Sequence, residues 1–214
     1  MSSLLLEKPV EMIEEVDEGI ERHRWTRTEI YQIYDLGLFD PNSRFELIEG
    51  DIFHKMPQKR PHSTAIAKSH GALTKSFGTG SYVSIQSPLN IDEYNAPEPD
   101  LMVVAGIPDD YEEQPTPADV KLIVEVADTT LHYDQNTKVR LYARAGIQEY
   151  WILVLKARLL VVYRDPGILP YVPTEYGYKS SIRYTEDDSV TPLHAPNVSL
   201  RVADLLPLPK KAEG

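Results

Sequence analysis

Apolar and polar residues recur with short, regular periods along most of the chain, and each period predicts an element. Apolar residues at every second position, bounded by turn residues, predict strands, and a spacing of three or four predicts helices. The helices predicted in this way cover residues 27–36, 62–77 and 134–145, and the strands cover residues 81–86, 88–92, 100–104, 121–127, 149–155 and 159–164. Two hairpins are predicted as well, over residues 44–56 and 168–208. We therefore expect an α/β (α+β) fold in which helices flank a mixed β-sheet, with an N-terminal hairpin and a C-terminal β extension.

Composition narrows the classes of protein that this pattern could belong to. The 214 residues include no cysteine, which excludes disulfides, thiolate catalysis and cysteine-ligated zinc. No apolar run approaches the ~20 residues that a membrane span needs. The first residues also lack the basic start and apolar core of a signal peptide. We therefore expect a cytoplasmic protein that does not enter a membrane.

Charge is distributed unevenly along the chain, whose net charge is −11. Residues 1–21 hold seven acids and one lysine, which predicts a mobile acidic arm over residues 1–22. A single domain is predicted over residues 23–208, followed by a tail of residues 209–214. The net charge argues against a generic nucleic-acid binder, because phosphate contacts need lysine and arginine.

The charge of the middle of the chain weakens that objection. Residues 52–91 contain no Asp or Glu, whereas residues 92–120 contain nine acids and no Lys or Arg. A basic segment next to an acidic one suits a site that holds a phosphate and a metal ion together. Uneven surface charge without function explains the same pattern equally well.

Two acids occupy strands that are otherwise apolar, in "PEPDLMVV" and "LIVEV". Asp100 heads one run and Glu125 interrupts the other, and burying an unpaired carboxylate costs several kcal/mol. If the two strands are neighbours, strand parity allows both carboxylates to converge on one divalent cation. Ligation by oxygen alone favours Mg²⁺ or Mn²⁺. Alternatively, Asp100 is a turn residue after Pro99, and Glu125 pairs with a lysine.

Other candidate residues each have a simpler explanation. Lys138 lies one helical turn from Asp134 and is most simply its exposed partner. Glu46, in the first hairpin, is either a third acid near the metal or a solvated side chain. His62 either contacts phosphate or caps its helix. A histidine zinc site is excluded, because His62 and His70 would lie ~12 Å apart on one helix.

The ordered set of motifs resembles a known family. "RFELIEGDIFHKMP", His62, "PEPDLMVV", "LIVEVADTT" and "YDQNTKVRLYARAGIQEYWIL" follow one another over residues 44–155. They resemble the bacterial Uma family of restriction endonucleases, within the PD-(D/E)XK restriction-endonuclease-like superfamily. The resemblance implies a restriction-endonuclease-like core, Mg²⁺ (or Mn²⁺) bound by carboxylates, and hydrolysis of DNA phosphodiester bonds.

Two positions depart from the superfamily pattern. The superfamily lysine two residues after the Glu is replaced by Ala127, and the resemblance implies that Lys138 supplies it from the following helix. The family itself usually has a serine-rich turn after the Glu, whereas this chain has Ala127, Asp128 and two threonines there. This second departure adds an acid near the metal.

Taken together, the residues and the resemblance predict a metal-dependent endonuclease. The expected catalytic residues are Asp100, Glu125, Lys138 and, with less support, Glu46, and the expected metal ligands are Asp100, Glu125 and the carbonyl of Val126. The expected contacts to DNA are His62, Lys59 and Arg60. Cleavage of a duplex needs two active sites, so the resemblance also suggests a homodimer, for which Tyr171 to Tyr184 is a candidate surface. The alternatives are a non-catalytic member of the fold that binds nucleic acid or a protein partner, and an assembly module.

Overall fold

The computed structural model describes residues 22–40 and 43–209. All but the last residue of the predicted acidic arm, and all but the first residue of the predicted tail, lie outside these ranges. Within them, no helix is both long and apolar enough to cross a bilayer.

A six-stranded mixed sheet forms the centre of the molecule, in the order β3-β4-β5-β6-β7-β8. Neighbouring strands are antiparallel except β5 and β6, which are parallel. The strands are β3 (Ser81–Ile85), β4 (Leu101–Ala105), β5 (Val120–Ala127), β6 (Glu149–Val154), β7 (Leu159–Leu169) and β8 (Val172–Thr185). The nearly continuous apolar runs of β4, β5 and β6 follow from this order, because these strands are covered on both faces.

Helices and small hairpins surround the sheet. The helices are α1 (Arg27–Asp35), α2 (Arg60–Phe77), α3 (Leu131–Tyr133), α4 (Val139–Arg144) and α5 (Val202–Leu205), with a π-helical segment over Asp134–Lys138 between α3 and α4. The N-terminal hairpin is β1 (Phe45–Ile48) with β2 (Asp51–His54), and β9 (Ser189–Val190) pairs with β10 (Leu200–Arg201). This architecture confirms the predicted fold class.

Alternate residues of the central strands form two separate cores. Met102 and Ile123 pack on one face of the sheet with Leu141 of α4. Leu101 and Val124 pack on the other face with α2 and α5. Glu125 has the same strand parity as Ile123, so it lies on the face covered by α4.

Local signals set the boundaries of the first elements. Thr26 and Glu29 form the predicted capping box, in which Thr26 Oγ1 accepts from the Glu29 N–H and Glu29 Oε2 accepts from the Thr26 N–H. Leu47 of β1 exchanges backbone hydrogen bonds with Ala96. The hairpin is thereby attached to the segment that leads into β4, and Glu46 is buried beside it.

The strand predicted over residues 88–92 was wrong. Leu89 N–H donates to the carbonyl of Pro97, and Asn90 N–H donates to that of Pro115, so this segment is an irregular loop held by other loops. Leu89 is nevertheless fully buried. Its apolar run reflects the burial of a loop and not strand pairing.

Two further boundaries differ from the prediction. The helix predicted from residue 134 begins at Leu131 and changes to π geometry at Asp134. The C-terminal hairpin begins earlier than residue 168, because β7 continues through Leu169 and pairs with the long strand β8. The segment after β8 adds the short β9–β10 pair and α5.

Candidate active site

Asp100 and Glu125 meet because β4 and β5 are neighbours. Leu101 is paired with Val124 in the antiparallel register, which brings the preceding Asp100 next to Glu125. The Asp100 N–H donates to Glu125 Oε2 at 3.3 Å, and the Val126 N–H donates to Asp100 Oδ2 at 2.9 Å. Each carboxylate is therefore held by the backbone of the other strand.

Lys138 enters this pair from the π-helical segment. Its Nζ lies 2.7 Å from Glu125 Oε1 and 3.1 Å from Glu46 Oε2, and the side chain is almost fully buried. The simpler explanation of Lys138 as an exposed partner of Asp134 is therefore wrong. Asp134 is also buried and accepts a hydrogen bond from Thr130 Oγ1 at 2.6 Å.

Of the three residues predicted to contact phosphate, His62 and Lys59 lie at the acid pair or in the cavity above it, and Arg60 does not. His62 Nε2, near the start of α2, lies 3.2 Å from Asp100 Oδ2. Lys59 lines the cavity above the acids, whereas Arg60 does not. Arg60 is exposed, so it lies outside the site proper.

Sequence reasoning did not assign four residues to the site, namely Gln86, Tyr142, Arg44 and Glu98. Gln86 Nε2 donates to Asp100 Oδ1 at 3.2 Å, and the Tyr142 hydroxyl donates to Glu125 Oε1 at 3.0 Å. Arg44 pairs with the buried Glu98, whose carbonyl accepts from Lys55 Nζ at 2.5 Å. Arg44 and Lys55 flank the β1–β2 hairpin, whereas Glu98, which both of them contact, is distant in the sequence.

A cavity of about 490 Å³ lies above the acids, and Arg44, Lys55 and His62 are among the residues that line it. One wall is the continuous segment from Phe53 to Lys59, and another is the turn of residues 128–130 after β5. Asp100, Glu125 and Lys138 lie at its base. The cavity therefore leads from the surface to the acid pair.

The pKa values of Glu125 and Lys138 are both raised, but for different physical reasons. Burial raises the pKa of Glu125 to about 7, and the neighbouring acids Asp100 and Asp134 add to this against the opposing charge of Lys138. Burial also disfavours the Lys138 ammonium, but the surrounding carboxylates, Glu125 first, outweigh it and raise the pKa of Lys138 well above its usual value. Lys138 is consequently a fixed cation.

Asp100 is the acid that stays ionised. Burial opposes its charge, but the hydrogen bond and the charge of His62, together with Lys55 and the Val126 N–H, lower the pKa of Asp100 far below its usual value. The reciprocal effect on His62 is that Asp100 outweighs the cost of burial and raises the pKa of His62. Two neighbouring carboxylates thus have pKa values displaced in opposite directions, as in sites where acids divide their roles.

The donor set at the base of the cavity fits a hard divalent cation. In residues 22–40 and 43–209 no three His, Cys, Asp or Glu side chains are grouped to hold a metal ion. Mg²⁺, however, is usually held by one or two carboxylates and takes its remaining ligands from water and substrate phosphates. Glu125 and Glu46 already hold the ammonium of Lys138, so a metal ion bound here would share these acids with Lys138.

Comparisons with known proteins extend this picture. The profile of the Uma2 family, described as "Putative restriction endonuclease", matches residues 28–203. The chain belongs to the Uma2 family. A comparison with curated proteins finds no match.

A solved structure shares the fold of this Uma2 protein. It is the crystal structure of a protein described as a putative nuclease belonging to DUF820, from Anabaena variabilis ATCC 29413. The two chains are 17% identical with a TM-score of 0.59, and the match covers 80% of this chain and 94% of the other. At this identity the likeness establishes a common fold.

The displaced pKa values predict how pH affects the stability of the metal-free protein. Glu125 and His62 both bind a proton more tightly when folded, so they stabilise the fold at low pH and lose that contribution as pH rises through their folded pKa values. Between about pH 5 and pH 8, the free energy of unfolding should therefore fall. For Glu125 the change is on the order of 3 kcal/mol at most. Thermal unfolding in EDTA at a series of pH values measures it.

Glu125→Gln should reduce this pH dependence to the contribution of His62, because Gln cannot ionise. Glu112→Gln, at an exposed loop position, is the matched control and should behave as the wild type. A wild-type melting temperature that rises from pH 5 to pH 8 would contradict the displaced pKa of Glu125.

Proposed function

We propose that this Uma2 protein is a metal-dependent endonuclease that hydrolyses phosphodiester bonds in DNA. The observation that carries the proposal is the convergence of Asp100, Glu125 and Lys138 at the base of one cavity. Membership of a family described as restriction endonucleases supports the same reaction class.

Asp100 and Glu125 would hold Mg²⁺ or Mn²⁺, with the carbonyl of Val126 as a third ligand. When bound, such an ion neutralises charge that develops on the phosphate and lowers the pKa of nearby water. The hydrogen bonds from Val126 and Gln86 fix the orientation of the Asp100 carboxylate. His62 holds the same carboxylate from the side of α2.

Lys138 would take the part of the lysine that is missing at position 127. Its raised pKa makes it unsuitable as a general base, so we assign it the stabilisation of negative charge on the reacting phosphate and the orientation of the attacking water. Glu46 accepts a second contact from the same ammonium and would position it. Lys59 at the rim, and Arg60 outside it, would contact the DNA backbone.

A second candidate function is a non-catalytic nuclease fold that binds nucleic acid or a protein. The observation in its favour is that Glu125 and Glu46 already have a protein cation between them. A buried ion pair of this kind is compatible with a purely structural role. Nicking of plasmid DNA distinguishes the two functions.

Replacing Lys138 tests its role in that assay. With Mg²⁺ or Mn²⁺, Lys138→Met should nick plasmid more slowly than wild type by roughly two to four powers of ten, the scale expected for a charge-stabilising group. Affinity for the metal should hold or rise, because a competing cation is gone. Asp100→Asn should abolish nicking.

The control is Lys75→Met, at an exposed position in the last turn of α2, which should nick as wild type does. Loss of Lys138 leaves buried carboxylates unpaired, which destabilises the fold. Circular dichroism of Lys138→Met and Lys138→Gln therefore has to show that each variant is folded before its activity is compared. A folded Lys138 variant with wild-type activity would refute the assignment.

We also propose a homodimer formed through the segment Tyr171 to Tyr184. All of this segment except Tyr171 belongs to β8, an edge strand of the sheet, and the segment exposes Tyr171, Tyr176 and Ile182. An exposed edge strand with apolar side chains favours pairing with another chain. Light scattering at micromolar concentration should give the mass of two chains, and Ile182→Lys should halve it. A wild-type monomer would contradict the dimer.

A further inference from the structure

The groups proposed to react are recessed at the base of a cavity and are not presented on the surface of the protein. Asp100 is 4% exposed, and Glu125 and Lys138 are each 2% exposed. A reacting phosphate must therefore enter the cavity of about 490 Å³. Pockets of ~300–1,000 Å³ enclose one drug-sized molecule, which corresponds to a nucleotide or two. Enzymes that react with a base in a recessed pocket act on single strands or on nucleotides flipped out of the helix, and a phosphate that has to reach these buried groups meets the same constraint.

One wall of the cavity has the composition of a surface for single strands. All seven residues from Phe53 to Lys59, "FHKMPQK", line the cavity, and none is acidic. Phe53 is 38% exposed and Met56 is 77% exposed. Basic residues that follow a phosphate backbone, interleaved with side chains on which bases stack, are the usual features of proteins that bind single strands.

The ring of Phe53 is placed next to the acids. Phe53 is paired with Glu46 across the β1–β2 hairpin, and directly paired residues lie on the same face. Its ring centroid is 5.6 Å from that of Tyr133. The Tyr133 ring in turn lies 5.7 Å from Lys138 Nζ. An aromatic pair therefore joins the hairpin to the helical segment beside the buried lysine.

We propose that the site takes single-stranded DNA, with a base next to the scissile phosphate stacked on Phe53 and in apolar contact with Met56. Lys55 and Lys59 contact the phosphates on either side of this base. This inference rests on the proposed function in one respect, namely that the phosphate at the base of the cavity is the one that reacts. In duplex or plasmid DNA, the strand that reacts would have to separate locally from its partner to reach that point.

Binding measured without cleavage tests the proposal. A dye-labelled oligonucleotide of mixed sequence, single-stranded or annealed to its complement, is titrated with protein in Ca²⁺ and followed by fluorescence anisotropy. Gel analysis after each titration verifies that the strand is intact. The single strand should bind at least about tenfold more tightly than the duplex.

Variants of Phe53 separate stacking from general charge attraction. Phe53→Ala should weaken single-strand binding about tenfold, the scale of losing one base–aromatic stack, and Phe53→Trp should restore it. Ile107→Ala is the control, because Ile107 is an exposed apolar residue that does not line the cavity. Its affinity should equal that of the wild type.

Two results would overturn the proposal: duplex binding as tight as single-strand binding, or unchanged affinity in folded Phe53→Ala. The experiments distinguish failure of this inference from failure of the proposed nuclease function. Single-strand preference that depends on Phe53, with no cleavage of either DNA form in Mg²⁺ or Mn²⁺, would support this inference and refute the nuclease. Cleavage that depends on Asp100, together with binding that does not change in Phe53→Ala, would support the nuclease and refute this inference.

Discussion

The ammonium of Lys138, buried between the carboxylates of Glu125 and Glu46, is the interaction on which the rest of the site depends. It joins three elements that are distant in sequence: the β1–β2 hairpin, the central strand β5 and the π-helical segment. Removing one partner of such a group leaves an uncompensated buried charge, which costs several kcal/mol. The geometry of the cavity floor is therefore coupled to the integrity of the fold.

The sheet supplies the second half of the site through its register. The β4–β5 pairing brings Asp100 to Glu125, and the backbone hydrogen bonds between them leave little freedom to either carboxylate. His62 then favours the charged form of Asp100, while burial favours the neutral form of Glu125. The two acids are thus chemically distinct before any ligand arrives, although they lie side by side.

Strand parity predicted which face the two acids share, because a period of two is rigid over a few residues, but only on the condition that the two strands are neighbours, which the structure shows. The environment of Lys138 could not be predicted in the same way. Ordinary helical spacing pairs it with Asp134 at the surface, and nothing in the local sequence shows that the segment becomes a π-helix packed against β5. Only the resemblance to the Uma family pointed to Lys138. Gln86 and Arg44 reach their partners through tertiary contacts, and Leu89 shows that an apolar run can belong to a buried loop.

Calorimetric titration with Mn²⁺ tests the central claim most directly, since it asks whether the acid pair is a metal site independently of any substrate. The account predicts that wild-type protein binds Mn²⁺ and that Asp100→Asn and Glu125→Gln, although folded, do not. Asp109→Asn, at an exposed position in the short 3₁₀ helix Pro108–Asp110, should bind as the wild type does. Binding by the Asp100 and Glu125 variants that equals wild-type binding would contradict the account.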